Sequence, residues 1–486
     1  MSDRRDFLKM FLVGGAGLLA APHFVAAKDF ETALFSKLAA EDAWSQVPKI
    51  LARIKPPKFR KKDFSILKYG AIADGRTDST EAFRKAIDEC SKKGGRVVVP
   101  AGEFLTGAIH LKSNVNLHVS KGATIKFSTD TKKYPLVFSR WEGMELMNFS
   151  PFIYAFGQQN IAITGEGTLD GQSNNEHWWS WKGNKQHGWK QGMPTQKADR
   201  DKLYEMMEKG VPVEQRIFGE GHLLRPQFIQ PYRCKNVLIE GVKIINSPMW
   251  EVNPVLCENV TVRKVSVATH GPNNDGCNPE SCKDVHIEDC YFDTGDDCIA
   301  IKSGRNEDGR RLNVPTENVV IRGCVMKDGH GGITIGSEIS GGVRNVFAEN
   351  CKLDSPDLWT ALRVKNNASR GGKLENFYFR NITVGQVSRA AVEIDFNYEE
   401  GAKGKHIPVV RNYVVENMTC AKGNRAVDLQ GLENAPIYNV VMKNCTFDVV
   451  EKPSIVKKVE GLKLENVKIN GKVVDSLENS ATKKSA

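Results

Sequence analysis

The stretch NVVIRGCVM, residues 318–326, decides the fold because its pattern recurs through the second half of the chain. It reads as a polar turn residue, a short alternating strand, a turn-like pair and a second short strand. Successive copies begin 22 residues apart (439 to 461) to 36 residues apart (376 to 412), and such a period indicates a solenoid. The other copies are NVLIEGVKI (236–244), NVTVRKVSV (259–267), DVHIEDCYF (284–292), NVFAENCKL (345–353), NFYFRNITV (376–384), NYVVENMTC (412–420), NVVMKNCTF (439–447) and GLKLENVKI (461–469).

The sixth residue after each start is always apolar and of moderate size. Coils stacked about 4.8 Å apart would bring these side chains into one inward column. Four of the 11 cysteines are thereby interpreted as small core residues rather than disulfide partners. We expect the starting Asn residues to form a second ladder, of side-chain amides, at a turn. The predicted inward column is Val242, Val265, Cys290, Cys324, Cys351, Ile382, Met418, Cys445 and Val467.

The apolar segments of the repeat are too short to form helices and are rich in Val, Ile and Phe, so the fold is predicted to be all-β. We predict a right-handed parallel β-helix, a solenoid. A leucine-rich horseshoe is disfavoured because neither a regular Leu pattern nor a helical segment recurs. An open solenoid end requires a cap, which we place at residues 60–125. Its helix, from about Ser79 to Lys92, has one apolar face made of Ala82, Phe83, Ala86, Ile87 and Cys90.

The N-terminal residues 1–27 have the charged start, apolar middle and small-residue end of an export signal. RRDFLK resembles a bacterial twin-arginine signal, and an ordinary Sec signal is the alternative. We expect one β-helix domain at 28–475, an insertion at about 174–230 and a disordered tail at 476–486. The mature protein is expected to be an exported monomer, periplasmic or secreted, without a membrane segment. The net charge of +10 includes no block typical of nucleic-acid binding.

Chemically reactive residues fall at matching positions of neighbouring coils. Asp296 is the twelfth residue after Asp284, and His330 is the twelfth residue after Asn318, so a solenoid stacks the pair. Crowded carboxylates separate in pKa, so that one keeps its proton while others ionise. The expected column of three carboxylates, one imidazole and two cations consists of Asp275, Asp296, Asp297, His330, Arg363 and Lys365.

Four motifs, NND (273–275), DD (296–297), GHG (329–331) and RVK (363–365), resemble those of glycoside hydrolase family 28, the polygalacturonase family. The usual signatures are NTD, DD, GHG and RIK, so only Asn274 and Val364 depart from them. The resemblance runs from about Phe64 to Lys472. Stretches such as GGITIGSEISGGVRNV (331–346) look like the bacterial exo-acting branch.

This resemblance implies hydrolysis of α-1,4 bonds between galacturonate units of pectin or polygalacturonate, with inversion and without metal or cofactor. It implies that Asp296 is the acid and that Asp275 and Asp297 hold the attacking water. An inverting pair is expected to stand about 6.5–9.5 Å apart. His330 is expected to tune the acid. The substrate-binding residues implied are Arg363 and Lys365, which would hold a carboxylate, and Asn273.

Three alternatives remain open in the sequence. A hydrolase of rhamnogalacturonan or substituted galacturonan would stay within the family, because Arg363 and Lys365 favour a uronate near the cleavage point but do not say which sugar precedes it. A pectate lyase shares the β-helix but is expected to need calcium and a basic proton acceptor. A non-catalytic polysaccharide-binding solenoid would release no reducing ends.

The insertion bears on the mode of attack. We expect it to fold over one end of the groove and to give exo action with release of galacturonate. The alternative is a loop that only covers the flank of the solenoid. The insertion residues expected to contact sugars are Trp178, Trp179, Trp181 and Trp189, and those expected to meet uronates are Lys182, Lys185 and Lys190.

Overall fold

A computed structural model describes residues 43–477 and confirms the predicted parallel β-helix. The predicted export signal and residues 478–486 of the predicted tail lie outside the described residues. Within these residues, one face of the helix is a thirteen-stranded parallel sheet. Its strands, in order, are Asp63–Ser65, Gly95–Val99, Val115–Val119, Gln159–Gly165, Lys235–Glu240, Glu258–Arg263, Lys283–Glu288, Thr316–Arg322, Val343–Glu349, Lys373–Arg380, Val409–Glu416, Ile437–Lys443 and Val459–Glu465.

Each coil continues into a second face, which the turn-like pair of the repeat separates from the first. The strands of this face also pair in parallel, with successive coils in register. They are Asp74–Asp78, Gly102–Thr106, Ala123–Phe127, Thr168–Asp170, Lys243–Ile245, Ser266–Thr269, Tyr291–Thr294, Val325–Met326, Lys352–Leu353, the first part of Thr383–Asp395 and of Thr419–Gln430, Thr446–Val450 and Val467–Ile469. The final strand, Lys472–Val474, turns back antiparallel to Val467–Ile469.

A third face completes the coils, and it carries the site described below. Between its earlier and later strands, isolated parallel bridges at Val252 and Cys277 continue the ladder. The later strands also stay in register, Ile299 beside Ile333 and Ile333 beside Leu362. The strands are Ile109–His110, Ile153–Phe156, Ile229–Tyr232, Ile299–Ile301, Ile333–Ile335, Leu362–Lys365, the second part of Thr383–Asp395 and of Thr419–Gln430, and Ile455–Lys457.

The predicted inward column is confirmed, because each of its nine members, from Val242 to Val467, is at most 1% exposed. Cys290, Cys324, Cys351 and Cys445 lie in it, and all 11 cysteines are buried. A thiol of this size fills the space of a small apolar side chain. The buried cysteines therefore belong to the packing of the β-helix.

The predicted Asn ladder is also confirmed. The Asn and Asp residues that start eight of the nine copies take a left-handed backbone, with φ from 56° (Asp284) to 66° (Asn376), which Asn adopts at lower cost than most residues. Each side-chain amide donates to the preceding coil, as Asn345 does to Asn318 at 3.1 Å and Asn412 to Asn376 at 2.9 Å. The turn-like pairs contain a second ladder that we did not predict; its members are Asn350, Asn381, Asn417, Asn444 and Asn466.

One member of the first ladder is a carboxylate, and an N-terminal helix binds there. Helix α1, Gln46–Arg53, reaches this point with Arg53, which donates to both oxygens of Asp284 at 3.0 and 2.6 Å. Asp284 has no amide with which to donate to Asn259. The backbone N–H of Lys55 donates to Asn259 instead, at 3.0 Å.

The predicted cap is confirmed as helix α2, Thr80–Lys93. It buries the predicted face, and Gly94 ends it with φ 70°. The short 3₁₀ turn Ile66–Tyr69 precedes it. Together they cover the apolar end of the β-helix core.

Between the coils stand two additions. A hairpin of Leu136–Trp141 and Met144–Phe149 pairs antiparallel, and Ile217–Phe218 adds to it. The predicted insertion holds helix α3, Lys197–Glu208, and 3₁₀ turns at Trp179–Lys182, Lys185–His187 and Val213–Gln215; a further 3₁₀ turn is Thr131–Lys133, and helix α4 is Asn306–Leu312. Among residues 43–477, no helix is long and apolar enough to cross a membrane.

Candidate active site

A cavity of about 980 Å³ lies against the third face. The register of the strands brings Asp296 and His330 to the same position on neighbouring coils, as their equal spacing predicts. The backbone N–H of His330 donates to the backbone carbonyl of Asp296 at 3.0 Å. The insertion and the loop after Asp395 border the same cavity. All seven predicted site residues line it: Asn273, Asp275, Asp296, Asp297, His330, Arg363 and Lys365.

Three carboxylates form the centre of this cavity. One oxygen each of Asp275, Asp296 and Asp297 lies within 4.8 Å of the others. The side chain of Asp296 is 17% exposed, whereas that of Asp275 is 4% and that of Asp297 is 1% exposed. Asp296 therefore presents its carboxylate to the cavity, with the other two behind it.

Both rear carboxylates are held in place by neighbouring side chains. Asp297 accepts from Lys365 Nζ at 2.5 Å and from the Thr334 hydroxyl at 3.1 Å. Asp275 accepts from the Asn278 amide at 3.0 Å, and Lys302 Nζ lies 3.6 Å from it. A metal ion bound by the three carboxylates would compete with two ammonium groups at these oxygens. This donor set therefore fits an acid–base site better than a metal site.

The crowding separates the pKa values, but not in the order we predicted. Burial, and then the charge of Asp296, raises the pKa of Asp275 well above its usual range. Burial would also raise the pKa of Asp296, but the charge and hydrogen bond of neighbouring His330 outweigh this and lower the pKa of Asp296 well below its usual range. The retained proton was expected on Asp296. In the absence of substrate, the order of the pKa values favours the proton on Asp275 instead.

Below Asp275 lies a further buried acid that the sequence analysis did not identify. Glu251 is fully buried, and neither of its carboxylate oxygens has a hydrogen-bond partner among the described residues. Burial, and then the charge of Asp275, raises the pKa of Glu251 well above its usual range. Burial without a hydrogen-bond donor thus favours the protonated form of Glu251.

The column that begins with Asp296 and His330 extends over two more coils. His330 Nδ1 lies 2.9 Å from Asp296 Oδ1. The His330 ring stacks on Trp359, with centroids 3.7 Å apart and planes 18° apart. The guanidinium of Arg389 lies over the Trp359 ring, 3.7 Å from its centroid. Trp359 therefore holds the plane of the imidazole that contacts Asp296.

The two predicted carboxylate-binding cations line the cavity but already have partners. Arg363 Nε donates to Glu393 at 2.7 Å, and the two side chains are 6% and 11% exposed. Lys365 is paired with Asp297. Their positive charge is therefore partly neutralised before substrate arrives. Asn273 Nδ2 lies 3.5 Å from Asp296 Oδ2, at the limit of a hydrogen bond.

The insertion contributes to the cavity differently from the expectation. None of its four tryptophans lines the cavity among the described residues, so the predicted stacking on sugar faces is wrong. Trp178 is 1% exposed because it packs against Tyr134, Phe149 and Phe152. Of the three lysines, only Lys182 lines the cavity. The insertion residues that line it are Lys182, Asn184, Gln186, His187 and Arg200.

The sequence analysis missed several residues that line the cavity. Lys302 follows the DD motif by five residues and bonds to Glu338 at 2.8 Å, and Arg305 bonds to the same carboxylate at 2.6 Å. The DD motif and Lys302 flank the short strand Ile299–Ile301, so a signal for Lys302 existed in the sequence DDCIAIK. Trp359 and Tyr398 stand in loops whose length varies between coils, and no repeat position indicates them.

The comparisons with known proteins agree with this site. The model for glycosyl hydrolases family 28 matches residues 219–478, and a model described as rhamnogalacturonase A/epimerase, pectate lyase-like, matches residues 64–140. A hyperthermoactive exopolygalacturonase from Thermotoga maritima has a crystal structure with 47% sequence identity and a TM-score of 0.86, over 90% of this chain and 97% of that chain.

Two curated relatives differ in the mode of attack that their names give. Exo-poly-alpha-D-galacturonosidase of Dickeya chrysanthemi is 27% identical over 418 residues, which cover 78% of this chain and 66% of that protein. Endo-polygalacturonase of Pectobacterium parmentieri is 28% identical over 386 residues, which cover 76% and 84%. The family prediction made from four short motifs is confirmed: this chain is a glycoside hydrolase and belongs to glycosyl hydrolases family 28.

Proposed function

We propose that this enzyme hydrolyses α-1,4-galacturonosidic bonds of polygalacturonate and releases galacturonate from a chain end. The observation that carries the proposal is the three-carboxylate cluster in a cavity that also contains seven Lys and Arg side chains. Among the described residues, ten Asp and Glu side chains line the same cavity, so the cations suit local contacts with substrate carboxylates rather than a net positive field. The match to an exopolygalacturonase at 47% identity supports the same substrate class.

The exposures of the carboxylates indicate their roles. A carboxylate nucleophile must reach the sugar carbon, and Asp275 and Asp297 are too deeply buried behind Asp296 to do so. Both can hold a water molecule between them, since their oxygens lie within 4.8 Å. Asp296 then protonates the leaving oxygen while Asp275 and Asp297 accept the proton of the water. We therefore propose direct displacement with inversion.

Substrate binding favours transfer of the proton held by Asp275 to Asp296, which leaves Asp275 ionised to accept the proton of the water. A uronate beside Asp296 adds negative charge and excludes water, and both effects raise the pKa of a carboxyl group. The raised pKa of Asp275 keeps one proton within the cluster, a few ångströms from Asp296. His330 contacts Asp296 Oδ1 and leaves Oδ2 for the leaving group.

The insertion favours exo action because it lines one side of the cavity with five side chains. A groove open at both ends would let a long chain pass through and would give endo action. The rhamnogalacturonase-like match lies at residues 64–140, and none of these residues lines the cavity. That match therefore does not bear on the residues that contact substrate, and the galacturonan assignment rests on the match to an exopolygalacturonase.

A time course on polygalacturonate tests the proposal. Chromatography should show galacturonate from the earliest points, and viscometry should show a slow decrease. A fast viscosity drop with early mid-sized oligomers would reject exo action, and faster release from rhamnogalacturonan would reject the substrate. Proton NMR of the first product should show the β-anomer, whereas the α-anomer would reject inversion.

A further inference from the structure

Two of the cations that line the cavity have no carboxylate partner. Among the described residues, seven Lys and Arg side chains line the cavity, and five are ion-paired within the protein. Arg389 lies on the Trp359 ring instead. Lys182 alone has neither an ion pair nor a ring beneath it. The paired cations and their distances are Arg200–Glu142 3.0 Å, Lys302–Glu338 2.8 Å, Arg305–Glu338 2.6 Å, Arg363–Glu393 2.7 Å and Lys365–Asp297 2.5 Å.

The position of Lys182 is fixed by the tryptophans before it. Lys182 is the last residue of the 3₁₀ turn Trp179–Lys182, and contacts of the neighbouring tryptophans hold this turn against the β-helix. Trp178 is buried in the aromatic core, and Trp181 packs on it with centroids 4.8 Å apart. Trp179 Nε1 donates to the Ser247 carbonyl at 2.8 Å. Trp178 adopts φ 68°, a costly backbone conformation that this packing maintains.

These contacts place an unpaired ammonium group at the insertion side of the cavity. Burial disfavours its charge and lowers the pKa of Lys182, and the negative charge of Glu142 partly opposes this effect. A partly buried ammonium is stabilised by a carboxylate that arrives with a ligand. The adjacent Asn184 and Gln186 offer amides suited to sugar hydroxyls.

We propose that Lys182 binds the carboxylate of the terminal galacturonate unit at the end of the cavity that the insertion closes. This inference rests on the proposed exo hydrolysis and specifies which residue makes it selective for a uronate end. Arg363 and Lys365 stand on later coils, so a second uronate would meet them on the other side of Asp296. Lys182 therefore distinguishes an acidic chain end from a neutral one.

The test compares two trisaccharides. One is trigalacturonate, and the other has its non-reducing unit reduced to galactose, so that it lacks only the terminal carboxylate. Wild type should prefer trigalacturonate in kcat/KM by about 10- to 100-fold, as expected for a charge-assisted hydrogen bond. Lys182→Met should lose most of this preference, by slowing on trigalacturonate alone. Lys182→Arg should retain part of it.

Lys197→Met is the matched control, because Lys197 lies in the same insertion but is 78% exposed and pairs only with Asp201 on the surface. It should keep the wild-type preference. Thermal unfolding midpoints of all variants confirm folding, and Lys182→Gln replaces Lys182→Met if the latter unfolds. An equal loss on both trisaccharides, or no loss, overturns the role of Lys182. If wild type releases mid-sized oligomers early from polygalacturonate, both the exo proposal and the proposed role of Lys182 are overturned.

Discussion

Replacing Trp359 by Leu tests whether the ring stack positions the catalytic imidazole. The substitution removes the face on which His330 stacks at 3.7 Å, while Asp296 and its 2.9 Å contact to His330 remain. An aromatic pair contributes about 0.5–1.5 kcal/mol beyond its buried area. If the stack holds His330 in its productive plane, kcat should fall by about 2- to 13-fold, since about 1.4 kcal/mol corresponds to tenfold in rate.

The assay is the initial rate of reducing-end release from polygalacturonate over a series of pH values. Trp359→Leu should lower kcat more than it raises KM and should shift the acid limb of the pH profile, because His330 sets the protonation of Asp296. Trp359→Phe keeps a ring face and should recover most of the rate. An unchanged kcat, or a Phe variant as slow as the Leu variant, would refute the positioning role.

Three further predictions follow from buried charges. Asp296→Asn should lower kcat by about 10²- to 10⁴-fold without changing the thermal midpoint, and activity within tenfold of wild type would remove it from the acid role. Arg363→Ala should lower the free energy of unfolding by about 3–5 kcal/mol because Glu393 stays buried without its partner; unchanged denaturant unfolding would contradict this. Glu251 binds its proton more tightly when folded, so the wild-type free energy of unfolding should fall as pH rises from about 4.3 through the raised folded pKa. Glu251→Gln should remove this contribution to the pH dependence of the free energy of unfolding. If wild type and variant show the same pH dependence, Glu251 does not make this contribution.

The repeat made the core and the register predictable. Apolar residues at a fixed position must point inward on every coil, so Cys290 and Cys324 could be placed without a structure. The same counting brought Asp296 and His330 together across 34 residues, which is the spacing of Ile299 and Ile333 in the sheet. Register carries this information because parallel strands stack residue by residue.

The pairing of Arg363 could also have been predicted, and was missed. Arg363 lies beside Glu393 in the next strand, and the sequence AAVEIDF repeats the alternation of ALRVKN. The positions of the side chains in the insertion could not be predicted in this way. It has no repeat that assigns a face to each side chain, so Trp178 was expected at the sugar and is instead buried among aromatic rings of earlier coils.

The carboxylate of Asp284 makes one coil of the amide ladder distinguishable from the rest. Identical Asn residues present the same groups on every coil, so a segment that bound through them would have many equivalent positions. Asp284 leaves the Asn259 oxygen without its usual donor and adds a negative charge, and the N–H of Lys55 and the guanidinium of Arg53 match these two changes. The difference between one amide and one carboxylate thus encodes the docking position of the N-terminal helix. An Asn at position 284 would make the coils of the ladder equivalent again and would remove the feature that selects one position for the N-terminal helix.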